Sequence, residues 1–104
     1  MSTKALSPAR KFIEGLRGEP LGFGRMLESI RQADEISQVE LARQMKISRS
    51  HLCDIEKGRR PVTPDRAARF AEVLGYSVNQ FVSVAIEDQL RKAGMRFKVR
   101  LEAA

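Results

Sequence analysis

Apolar residues recur at intervals of three and four along residues 22–93, and turn-forming residues cut the pattern into five segments. Phe23, Leu27 and Ile30 define a helix over about 22–33, with Gly24 as a weak point in it. Val39, Leu41, Ala42 and Met45 define a second over 38–45, anchoring the unit to a core. Ala67, Phe70, Ala71 and Leu74 line one face over 64–74, and Phe81, Val82, Ala85, Ile86 and Leu90 do so over 78–93. Capping chemistry marks the starts. Ser37 with Glu40 and Ser77 with Gln80 form capping boxes, Thr63 precedes Pro64, and Ser48 can cap a helix over 49–57. Staple pairs Ile36 with Leu41, Ile47 with Leu52, and Tyr76 with Phe81 bracket three of these caps. Gly58, Gly75 and Gly94 supply the stops. The expected fold is all-α, a five-helix bundle over residues 21–94 with brief connections.

The ends follow other patterns. Residues 1–20 form an N-terminal arm in which Ser7-Pro8 can open a short helix through Phe12, Ile13 and Leu16. Residues 95–104 alternate, with Met95, Phe97, Val99 and Leu101 set against Arg96, Lys98, Arg100 and Glu102. This is the period of a β-strand with one apolar face. A lone strand leaves its backbone groups unpaired, so the expectation is pairing with the same strand of a second copy across a dimer two-fold.

The segment 49–57 is the anomaly. A helix that short is marginal in water, and only Leu52 and Ile55 are clearly apolar on one face. The rest of its surface reads Arg49, Ser50, His51, Cys53, Asp54 and Lys57. Charge sharpens the point. The chain of 104 residues carries a net charge of +6 and has a pI of about 10.1, a balance that suits an acidic partner. Between Arg43 and Arg69 eight cations face three anions, so nearly all of the excess surrounds this helix. A single Cys suits a reducing cytosol, no apolar run reaches membrane-span length, and "MSTKALSPARKF" lacks a signal-peptide core, so a cytoplasmic protein is expected. His51 and Cys53 are two apart on a helix, and no other His or Cys can complete a metal or nucleophile site. No metal, cofactor or enzymatic activity is expected.

Helices 38–45 and 49–57 are separated by Met45-Lys46-Ile47-Ser48, a turn tight enough to make them cross steeply, as in a helix-turn-helix. The exposed N-terminal edge of the second could then enter a major groove about 12 Å wide. At this point "SQVELARQMKISRSHLCDIEKGRRPVTPDRAARFAEVLGYSVNQF" resembles the lambda-repressor-like helix-turn-helix family, also called Cro/C1-type or XRE-type regulators. The matching features are Ser37-Gln38, Leu41-Ala42, Ile47-Ser48, Ile55-Glu56-Lys57-Gly58, Pro61 or Pro64, and Leu74-Gly75; the arm and terminal strand lie outside them.

The resemblance implies roles. Gln38 would contact a phosphate, and Arg49 and Ser50 would read bases, Arg being suited to guanine O6 and N7. Asp54 occupies another reading position; it could accept from cytosine N4, but orienting Arg49 or Arg59 is the favoured role, because phosphates repel a carboxylate. His51 either touches DNA or is solvated. Arg59 and Arg60 lie where phosphates should pass, with Lys57, Arg43 and Lys46 as further phosphate contacts. Glu56 lies among Lys57, Arg59 and Arg60, and the resemblance implies an inward-facing salt bridge there.

The expected function is a transcription regulator, a repressor, that binds a palindromic operator in double-stranded DNA as a homodimer, using 95–104 for dimerisation. Two alternatives stand beside it. One is an antitoxin that represses its own operon and offers the terminal strand to a toxin protein's sheet edge. The other is a protein-interaction module of the same fold that does not touch DNA.

Overall fold

The computed structural model describes residues 22–104, and the expected arm over 1–20 lies outside them. Among the described residues there are five helices, α1 (Phe23–Ala33), α2 (Gln38–Met45), α3 (Arg49–Glu56), α4 (Pro64–Leu74) and α5 (Val78–Lys92). Four starts are fixed as the caps predict. The hydroxyls of Ser37, Ser48, Thr63 and Ser77 accept from the backbone N–H of Glu40, His51, Arg66 and Gln80. Gly58, Gly75 and Gly94 all adopt left-handed backbone, with φ of 78°, 78° and 85°.

The core gathers Leu41, Leu52, Ile55, Ala67, Leu74 and Val84 around three phenylalanines. Phe23 is their hub, with ring centroids 6.0 Å from Phe70 and 5.8 Å, edge-on, from Phe81. α5 packs along α4, α2 on α3, and α1 bridges α3 and α5. The helix α3 is therefore held from several sides through Leu52 and Ile55 while its other faces stay open.

Gly24 is buried because α1 crosses the end of α3 at backbone distance. A methyl group there would collide with the carbonyl oxygens of Ile55 and Glu56. The missing Cβ that weakens glycine in a helix is the condition for that approach. Lys46, the expected turn cation, sits at the C-cap of α2 in left-handed backbone at φ 60°, where a Cβ is disfavoured. The short α2–α3 turn imposes that conformation.

Three sequence expectations are corrected. No strand forms over 95–101; all of 95–104 is irregular. A strand exists only through a ladder partner, and here the tail meets α5 instead. Gly94 reverses the chain, Val99 N–H donates to Glu87 Oε2 at 2.8 Å, and Val99 and Leu101 become half-buried. Met95 and Phe97 stay open, Phe97 at 65% exposure. Val39 anchors nothing and is 61% exposed, because Leu41, Ala42 and Met45 already fill the core-facing side of α2. On α5, Val84 is buried, whereas Val82, Ile86 and Leu90 are half-buried. The helix is rotated relative to the stripe read from sequence, and one apolar flank is incompletely covered.

Candidate nucleic-acid interface

The helix pair α2–α3 is locked by a buried ionic network that the sequence pointed to but did not resolve. Glu56 is 1% exposed. Its partner is not a neighbouring cation but Arg31, the last-turn residue of α1, whose Nε donates to Glu56 Oε2 at 2.7 Å and Nη2 to Oε1 at 3.2 Å. Arg31 Nη1 donates to Ile36 O at 2.8 Å, and Gln38 Nε2 donates to Glu56 Oε1 at 2.9 Å. One cluster thus ties the end of α1, the start of α2 and the end of α3. The available signal was Arg31's place one helical turn after Leu27, on the apolar stripe of α1. Gln38 spends one amide hydrogen on this network, and its second remains chemically available to a phosphate.

Beyond that lock, the N-terminal edge of α3 is open. Arg49 and Ser50, the expected base readers, are both exposed. No acidic residue lies in the first turn of α3, although acidic side chains are the ones favoured by a helix N-terminus. Arg49 at that end runs against the dipole and adds positive potential to the open edge.

Asp54 is paired with Arg59. Its Oδ1 accepts from Arg59 Nε at 3.0 Å, and its carbonyl accepts from the backbone N–H of Arg59 and Arg60. The same loop is held from the far side, where Gln89 Nε2 of α5 donates to Val62 O at 3.0 Å. Arg59 and Arg60 are therefore exposed cations on a fixed backbone. Lys57 and Lys46 are also exposed. Arg43 is exposed but bound to Glu40 on its own helix, so its charge is locally compensated. Glu40's carboxyl is held below its usual range by hydrogen bonds from Arg43 and then Gln44.

His51 has a partner on α4. It is half-buried, and its Nε2 lies 3.0 Å from Arg66 Nη1 of α4. Burial first, then the charges of Arg60 and Arg66, push its pKa down, with Asp54 opposing. Cys53 is half-buried beside Arg59, and among the described residues no group of three or more His, Cys, Asp or Glu side chains could hold a metal. Likewise, among the described residues no helix is long and apolar enough to cross a membrane.

The helix-turn-helix family model HTH_3 matches residues 27–81, just over half of the chain. The chain belongs to the HTH_3 helix-turn-helix family. HTH_3 domains are DNA-binding domains of transcription regulators, and the match spans the interface from α1 to the start of α5. The crystal structure of ClgR, the clp gene regulator of Corynebacterium glutamicum, is similar, with a TM-score of 0.55 and 28% identity. That likeness covers 69% of this chain and 77% of ClgR. No curated protein sequence matches this HTH_3 chain.

Proposed function

We propose that this HTH_3 protein is a sequence-specific repressor that works in the cytoplasm and binds a palindromic operator as a homodimer, with α3 in the major groove. The observation carrying this reading is the contrast between the two ends of α3. Its C-terminal end is fixed by Glu56, and its N-terminal end presents Arg49 and Ser50 to solvent. A short helix so anchored has an exposed edge as its product. The likeness to ClgR, a gene regulator, supports the same reading. Arg59 and Arg60, with Lys57, Lys46, Gln38 and Arg43 around them, supply the phosphate contacts, and His51 lies beside the base-reading pair.

One recognition helix reads only a few base pairs, so affinity and specificity call for two, about 34 Å apart. The surface offered for dimerisation is the half-covered flank of α5 with the tail, where Met95 and Phe97 are uncovered next to Val99 and Leu101. Deleting residues 95–104 is expected to weaken dimerisation and operator binding while the helical fold persists. Sedimentation and circular dichroism check this, and unchanged dimerisation would remove the tail from the interface.

Selection of bound duplexes from a random DNA pool at about physiological salt tests the function. The expected product is an inverted repeat with half-sites about one helical turn apart. Binding without enrichment would favour the antitoxin reading, with a toxin protein on Met95 and Phe97. Absence of any binding would sink the DNA-binding role.

A further inference from the structure

Arginines in this fold are held in two different ways. Arg31, Arg43, Arg59 and Arg91 are each bound to a carboxylate, on Glu56, Glu40, Asp54 and Asp88. Each is fixed in place, and its charge is partly offset by what fixes it. Arg66 is fixed by an imidazole. A guanidinium only donates, so His51 Nε2, 3.0 Å away, can serve it only as an acceptor, the role open to a neutral ring with its hydrogen on Nδ1. This arrangement orients a cation and leaves its full charge in place.

The neighbouring acid does not undo this. Asp65's carboxyl is held low chiefly by the Thr63 hydroxyl and its own backbone N–H, with the charge of Arg66 the smallest of its influences. Arg60, in the loop after α3, also lowers the pKa of His51 through its charge, and Arg66 touches the ring directly. The cluster adjoins the N-terminal edge of α3, since His51 follows Ser50 directly.

We propose that Arg66 is a DNA-backbone anchor, a phosphate contact supplied by α4 and aimed by the His51 side chain. His51 is then a positioning residue that acts through Arg66. A side chain from a second helix clamped to the recognition helix fixes how deeply α3 enters the groove. The inference rests on the DNA-binding reading and adds a contact to the same face.

The test is salt titration of binding to a duplex enriched by selection with the intact wild-type protein. R66Q keeps hydrogen-bonding capacity without charge, and it is expected to weaken binding and flatten the slope of log K against log salt by about one unit. The enriched sequence should stay the same. R66K, which keeps the charge, should retain the slope. H51A should weaken wild-type binding yet add little in the R66Q background, whereas H51Q, whose amide oxygen still accepts, should rescue it. A wild-type slope in R66Q, or independent effects of H51A and R66Q, would overturn the anchor and leave DNA binding standing. A changed sequence preference in R66Q would place Arg66 on a base edge and overturn it too. Failure of the wild type to bind any duplex would instead remove the underlying reading.

Discussion

Replacing Glu56 by alanine is expected to destabilise the domain by about 3–5 kcal/mol, the range found when one partner of a buried ion pair is removed. Glu56 is 1% and Arg31 8% exposed. The substitution would therefore strand a guanidinium in the interior with only the Ile36 carbonyl left to accept from it. Gln38 would lose its acceptor as well. A domain of this size has a total stability of about 5–15 kcal/mol, so much of the folded population margin would disappear. Urea denaturation monitored by circular dichroism gives the number. A loss under about 1 kcal/mol would mean that water reaches Arg31 and that the network does not set the α2–α3 geometry. The Arg59–Asp54 pair is a useful contrast. The Arg59 side chain is 61% exposed, and solvent screening leaves such pairs with little effect on stability. Asp54 holds the Arg59 guanidinium without burying it.

Arg49→Ala is expected to act in the opposite sense, on binding and not on folding. If Arg49 bonds guanine O6 and N7 together, its loss removes about 1–3 kcal/mol of discrimination, roughly a 5- to 150-fold weaker affinity for the preferred duplex. Binding to unrelated DNA should change much less. The thermal midpoint should stay level or rise slightly, because Arg49 is exposed and its charge lies at the unfavourable end of the helix dipole. Competition binding against scrambled duplex, with a melting curve on the same sample, checks both halves. Equal weakening on every duplex would make Arg49 a phosphate contact, and loss of the folded state would make its role structural.

Much of this architecture was legible before any tertiary structure. The hydroxyl caps, the staple residues and the stop glycines act within one turn of chain, so Ser37, Ser48, Thr63 and Ser77 declared their helices almost to the residue. The open edge of α3 was legible for the same reason. A helix with only Leu52 and Ile55 to bury leaves Arg49 and Ser50 outside whatever it packs against.

Long-range partners were a different matter. Glu56 was visibly a structural acid, but its partner lies 25 residues away, and only the crossing of α1 over α3 brings Arg31 to it. The same crossing turns Gly24 from a weak helix former into a requirement for contact between backbones. His51 finds Arg66 fifteen residues on, across two helices joined by the loop that carries Arg59 and Arg60. The tail shows the converse. Its alternation was real, but period alone does not form a strand without a ladder, and the tail instead meets α5 where Val99 N–H donates to Glu87. The chain by itself determined where helices start and stop and which edge stays polar, because those are nearest-neighbour effects. Only the tertiary structure decided which charges meet, because that depends on the angles at which separately determined helices cross.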